Sequence, residues 1–280
     1  MVTVRPFLHT ALSATLRFLP YYYPQVLVYH RIGTRQDCRE SLVECAEVSS
    51  FSEEMDYLLR EDFTIVSLDE IVRHVKGETT LPGKSVAITF DDGFHDTFKY
   101  AYPVLKERNM KATVFINTAF MGKTLPYSET FWLPESSEKK NAVFKFLSWE
   151  EIEIMNAHGI DFEPHTHTHV NLAKVSEPEA EKEIRISKEI VEKKLGKKSR
   201  HFCYPYGLYN YKIIKMVEKI GFDAGWAVRS DNIVRGLNTY NLPRKGGVGS
   251  SQLNRFRVLL SPACKWFRTM SALFIGKPQL

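Results

Sequence analysis

The sequence predicts an α/β fold built on a parallel sheet or barrel. Short apolar runs alternate with capped helical segments along most of the chain. One such run, 86–90, is near-continuously apolar, as a strand buried on both faces should be. The residues with chemistry to offer follow directly after such runs. Alternation of strand and helix gives parallel sheets and barrels, whose chemistry gathers at the carboxyl ends of the strands. A single α/β barrel routinely reaches the 280 residues found here.

Taken in order, residues 26–29 read as the first strand. Ser67 and Glu70 form a Ser-x-x-Glu capping box that opens a helix, and Gly77 closes it. The buried strand 86–90 follows, then a helix over 100–108 and a second buried run, 112–116. Ser148 and Glu151 make another capping box, Gly159 stops that helix, and 160–162 is a short strand. The clearest helix opens at Ser176 and Glu179, places Ala180, Ile184, Ile190, Val191 and Leu195 on or near one face, and ends before Gly196. Residues 202–204 form a strand, 211–220 a helix and 222–228 another strand. The organisation expected is a lead segment over 1–23, one catalytic domain over 24–250 and a helical tail over 251–280.

Composition narrows the function. A net charge of +5, with no dense Lys/Arg cluster, excludes an ordinary nucleic-acid binder. Four cysteines (Cys38, Cys45, Cys203 and Cys264) contain no C-x-x-C pair and are too few for a disulfide scaffold. A reducing compartment is then the default, so a cytoplasmic protein is expected, with membrane association left open and a periplasmic or secreted location as the lesser alternative. The apolar stretch 7–19 is interrupted by His9 and Arg17 and ended by Pro20, a poor match to a secretory signal. The tail mixes Arg255, Arg257, Lys265 and Arg268 with Phe256, Leu259, Trp266 and Phe267. It reads either as a peripheral membrane contact or, preferably, as a helix packed on the domain with a solvated basic face.

Three constellations bear chemistry. Thr89-Phe90-Asp91-Asp92-Gly93 sets two carboxylates side by side at a strand end. That is costly without a cation, and is resolved if one ligates an ion while the other stays free as a base; the plain alternative is a solvated Asp-Gly turn. His165-Thr166-His167-Thr168-His169 holds three of the nine histidines. In a helical turn His165 and His169 would converge on one ion and His167 would point elsewhere, whereas an extended run would align all three. Imidazoles with a carboxylate suit zinc and other first-row metals. The third stretch, Arg200-His201-Phe202-Cys203-Tyr204-Pro205-Tyr206-Gly207, has the residues for a groove wall and an exposed backbone N–H, or for an ordinary strand and turn.

Together these stretches resemble the polysaccharide deacetylases, the family-four carbohydrate esterases, over about residues 26–244, with closest similarity to the poly-N-acetylglucosamine deacetylase branch. The resemblance implies a distorted, incomplete (β/α) barrel, circularly permuted in that branch. It implies Asp91 as general base, Asp92, His165 and His169 as ligands of a divalent metal (Zn²⁺, with Co²⁺, Ni²⁺ or Mn²⁺ as alternatives), Arg200 as the residue orienting the base, and the Tyr206 N–H as oxyanion donor. Tyr204, Pro205 and Trp226 would line the substrate pocket. Many members carry a late catalytic histidine, but here the late stretch is Asn241-Leu242-Pro243-Arg244-Lys245 and no histidine follows His201. His30, just past the first strand, is the replacement acid, ahead of His167, His95 and His201. The expected activity is metal-dependent hydrolysis of N-acetyl groups on a carbohydrate. The alternatives are a deacetylase or amidase of a small or cyclic amide, and a carbohydrate-binding descendant without catalysis.

Overall fold

The computed structural model describes residues 23–130, 143–246 and 253–261. The lead segment 1–22 and most of the tail, 262–280, lie outside the described residues. The chain enters on β1 (Gln25–Tyr29), turns at His30 into β2 (Arg31–Gly33), and continues through α1 (Arg35–Glu40) to β3 (Cys45–Glu47), which pairs in parallel with β2. Helix α2 (Val48–Arg60) buries Phe51, Met55 and Leu58 at helical spacing. After β4 (Thr64–Ile65) and α3 (Leu68–Val75) comes β5 (Ser85–Phe90), every residue of which is buried. Ser67 and Glu70 form both halves of the predicted capping box before α3.

A π-helical turn, Thr97–Ala101, runs straight into α4 (Tyr102–Glu107), so the predicted helix at 100–108 begins a few residues earlier and in a wider coil. Strand β6 (Ala112–Ile116) follows, then an antiparallel pair of β7 (Thr124–Pro126) and β8 (Val143–Lys145). Ser148 and Glu151 cap α5 (Trp149–Asn156), which leads to β9 (Ile160–Pro164). In α6 (Glu177–Leu195) Ser176 accepts from the Glu179 N–H, and Gly196 closes the helix in the left-handed region at φ 63°. The last elements are β10 (His201–Cys203), α7 (Tyr211–Ile220), β11 (Ala224–Val228), β12 (Leu242–Arg244) and α8 (Leu253–Leu260).

All pairings among the barrel strands are parallel. One sheet runs β1-β5-β6-β9, with β4 also on β5, and a second runs β10-β11-β12. Lys245 joins them on one side: its N–H donates to Val26 O at 2.7 Å and its carbonyl accepts from Val28 N–H at 3.1 Å. On the other side no ladder pairs β9 with β10 among the described residues. The Glu163 carboxylate bridges that seam instead, accepting from the Arg200 N–H at 3.2 Å. The result is a ring of parallel strands open at one seam, the distorted, incomplete barrel expected. Phe256, Leu259 and Leu260 of α8 are buried, so the described part of the tail packs on the domain. No helix among the described residues is long and apolar enough to cross a membrane.

Cys38 and Cys45 form a disulfide, which the cysteine count did not anticipate. The two half-cystines flank a short connection from α1 to β3, a proximity that composition cannot reveal.

Candidate active site

The Asp pair sits where β5 ends. The Asp91 N–H donates to Tyr29 O at 2.9 Å, which continues the β1–β5 ladder by one residue. Asp92 (φ 71°) and Gly93 (φ 73°) then both take the left-handed conformation, so the two adjacent carboxylates project apart. A Cβ at Gly93 would lie 2.9 Å from Met121 Cε and 3.0 Å from Ile116 Cγ2, so the turn needs glycine for space as well as for φ.

Asp91 faces Arg244. The guanidinium meets both carboxylate oxygens at 2.7 Å, donates to Thr89 Oγ1 at 3.0 Å and to Cys203 Sγ at 2.8 Å, and lies 5.0 Å from the centre of the Phe115 ring. Both partners are buried. Burial by itself would raise the Asp91 carboxyl pKa, but the Arg244 charge and its two hydrogen bonds win and hold it well below the usual carboxylate range. Asp91 is therefore an ionised proton acceptor with a fixed direction.

Asp92 faces the histidines. Its Oδ1 lies 3.7 Å from His165 Nε2 and 3.3 Å from His169 Nε2, and one ligand atom from each of the three residues falls within 4.8 Å of the others. The His165 Nδ1–H donates to Cys203 O at 2.9 Å, which leaves the Nε2 lone pair aimed at Asp92. His169 Nδ1 meets the Tyr206 hydroxyl at 3.1 Å. Burial pushes His165 down to about 4 and His169 well below its ordinary value, so both imidazoles are neutral, the form that binds metal. Burial also pushes the Asp92 carboxyl up to about 7. Asp92 Oδ1 is buried and accepts no hydrogen bond. A buried carboxylate oxygen without a donor, set against two neutral imidazoles, fits a divalent cation.

The segment between the two histidines is neither a helical turn nor an extended strand. Thr166 (φ 66°) and His169 (φ 59°) are left-handed, and the loop they make turns both flanking imidazoles inward. His167 points away, with Nδ1 2.8 Å from Thr118 Oγ1. His30 lies at the β1–β2 corner, with Nδ1 3.6 Å from Glu44 Oε2, while the adjacent Arg31 pairs with Asp96 at 2.7 Å. His30 is close enough to bear electrostatically on Asp91, Asp92, His165 and His169. Tyr206, at φ 60°, sets its ring edge-on to His169 with centroids 4.6 Å apart and remains 41% exposed.

A sequence model of polysaccharide deacetylases matches residues 78–225. The chain belongs to the polysaccharide deacetylase family. The poly-beta-1,6-N-acetyl-D-glucosamine N-deacetylase of Staphylococcus aureus (strain MRSA252) is 29% identical over 206 residues, 70% of this chain. The chain spans 65% of the length of that relative. Two solved structures share the fold. The deacetylase PplD of Streptococcus pyogenes superposes with a TM-score of 0.71 at 20% identity, over 86% of this chain and 100% of that one. IcaB of Ammonifex degensii superposes with a TM-score of 0.68 at 25% identity, over 84% of this chain and 97% of that one.

Within this family member the structure moves several expected residues. Arg200 does not reach Asp91: it pairs with Asp223 at 2.7 Å and Asp69 at 2.9 Å, on the side where its guanidinium is half exposed. Arg200 precedes β10, so it sits at the opposite end of that strand from the Asp pair, and Arg244, at the end of β12, occupies the place instead. The sequence signal for Arg244 was a lone arginine closing the short run Leu242-Pro243, in the stretch noted for lacking a histidine. Tyr204, Pro205 and Trp226 do not line an open pocket. All three are buried; Tyr204 donates its hydroxyl to Tyr240 O at 2.7 Å, and the Trp226 indole donates to His201 Nδ1 at 3.3 Å. Among the described residues, the exposed apolar side chains in this region include Tyr206, Leu208, Tyr211 and Val228.

Proposed function

We propose that this chain hydrolyses N-acetyl groups on an amino-sugar polymer, releasing acetate and a free amine. The observation that supports it is the division of labour in the Asp pair: Asp92 is gathered with His165 and His169, while Asp91 is held apart and ionised by Arg244. The named activity of the Staphylococcus aureus relative supports an N-acetylglucosamine polymer as the substrate class. A divalent ion held by Asp92, His165 and His169 would polarise the acetyl carbonyl and make a water molecule more acidic. A one-carboxylate, two-imidazole set favours Zn²⁺.

The chain's own residues supply the rest. Asp91 accepts the proton of the attacking water as the water oxygen joins the acyl carbon. The Tyr206 backbone N–H serves the oxyanion, a contact of a kind that is typically worth ~3–4 kcal/mol. His30 protonates the departing nitrogen as the C–N bond breaks, from the β1–β2 corner where its Nδ1 lies 3.6 Å from Glu44 Oε2. Tyr206, Leu208 and Val228 offer an apolar lip for the sugar. The Cys38–Cys45 disulfide supports an oxidising compartment, the periplasm or the exterior, over the cytoplasm.

The test is acetate release from a panel of N-acetylated glycans of different linkage and length, alongside small acetylated amides, with chelator and with metal added back. Release from an N-acetylglucosamine polymer that chelator abolishes and Zn²⁺ restores is expected. Release that ignores chelator, or that is confined to small amides, sinks the reading.

A further inference from the structure

Glu183 is a carboxylate on the wrong face of a helix. In α6 the buried positions Ala180, Ile184, Ser187 and Val191 face the domain, and Glu183 sits in that same buried stripe. Its side chain reaches past the packing layer to the loop between His165 and His169. Oε2 accepts from the His167 N–H at 2.9 Å and the Thr168 N–H at 2.8 Å, and Oε1 accepts from the Thr168 hydroxyl at 2.8 Å. It therefore takes three donors from two adjacent residues without touching either imidazole of the Asp92 cluster.

The loop needs such a clamp. Thr166 and His169 both occupy the left-handed region, which is unfavourable for residues bearing a side chain and most of all for a β-branched one. Such conformations persist only where the surroundings over-determine them. Other tethers act on the same loop: Thr166 Oγ1 accepts the His169 N–H at 3.0 Å, and the Ala119 N–H donates to His167 O at 2.9 Å. Glu183 adds three more bonds at its middle, all from one side chain.

Resting on the metal-site reading above, we propose that Glu183 is a positioning residue that sets the metal affinity of the site. It acts through His165 and His169 by locking the loop that joins them. Residues that orient ligands in this way typically change affinity by about 10–100-fold when removed.

The experiment uses the full chain and measures the Zn²⁺ dissociation constant by competition with a chromophoric chelator, together with the urea midpoint of the metal-free protein. Three variants are compared with wild type. Glu183→Gln keeps the shape of the side chain and removes an acceptor. Thr168→Val, at an exposed position, deletes one of the three bonds and leaves the helix intact. Glu192→Gln lies on the same helix, where Glu192 accepts from the Ser199 N–H at 3.0 Å, remote from the loop. Zinc binding weaker by about 10–100-fold in Glu183→Gln, a smaller loss in Thr168→Val and no change in Glu192→Gln are expected. Wild-type affinity in both loop-side variants overturns the proposal. So does an equal loss in Glu192→Gln at the same drop in urea midpoint, because that would make the effect one of general stability. If Glu183→Gln does not fold, Thr168→Val decides alone. Wild type that binds no zinc would refute the metal-site reading instead, so the two failures are distinguishable.

Discussion

At Asp91 two buried charges meet through a forked pair of 2.7 Å hydrogen bonds. Removing one partner of such a pair costs about 3–5 kcal/mol, because the remaining charge is left buried and unpaired. Arg244→Met is expected to lower stability by about that amount, read from urea unfolding, and to abolish acetate release. Arg200→Ala should cost less than about 1 kcal/mol and leave turnover near wild type, since its two ion pairs are solvent-screened. If the two arginine variants behave alike, the assignment of Arg244 to Asp91 is wrong. Asp91→Asn should retain zinc and lose turnover, whereas Asp92→Ala should lose both, which equilibrium dialysis and an acetate assay will separate. His30→Ala with wild-type turnover would remove His30 as the acid.

To the backbone ladder between strands β10 and β11 a histidine adds a cross-strand bond that it makes only when neutral. The His201 Nε2–H donates to Asp69 Oδ1 at 3.1 Å, and Nδ1 accepts from the Trp226 indole N–H at 3.3 Å. A proton on Nδ1 would set donor against donor. Burial lowers the His201 pKa below its ordinary value, and the Asp69 charge offsets only part of this. Stability from His201 is therefore fully present above the unfolded histidine value of ~6.5 and is lost as pH falls towards the lower folded value. His74, His165, His167 and His169 are lowered too and share this sign. Burial raises the carboxyls of Asp92, Asp96 and Glu163, which act with the opposite sign in this range, so the part due to His201 is read as a difference: below ~6.5 the slope of urea midpoint against pH should be more positive in wild type than in His201→Gln. An unaltered slope in that variant would show that His201 does not contribute. The neighbouring helix α6 illustrates the same economy: one face packs the core and also lends Glu183 to a loop it does not belong to.

For the whole molecule, the open seam between β9 and β10 and the joint at Lys245 decide where chemistry is placed. The His165 Nδ1–H crosses the seam to Cys203 O, so the gap in the barrel is also where a candidate ligand is oriented. The Cys38–Cys45 loop braces the β2–β3 corner that follows His30. Closing so short a loop is worth about 2–3 kcal/mol, so reductant should lower the unfolding free energy of wild type, read from urea titration, by that much and leave the Cys38→Ser/Cys45→Ser double variant unmoved. Much of this fold is legible in the chain, because apolar runs such as 86–90 and the Ser67 and Ser148 capping boxes act over a few residues. Helix α2 is legible in the same way, with Phe51, Met55 and Leu58 spaced on one face. The sequence alone determined the parallel α/β class and the residues Asp91, Asp92, His165 and His169, because strand periodicity and clustered ligands are local patterns. Only the tertiary structure decided that Arg244 rather than Arg200 holds Asp91, that Trp226 and Tyr204 are buried, and that Glu183 clamps the histidine loop. Those contacts join residues far apart in the chain, and which end of a strand a side chain occupies is fixed by closing the barrel.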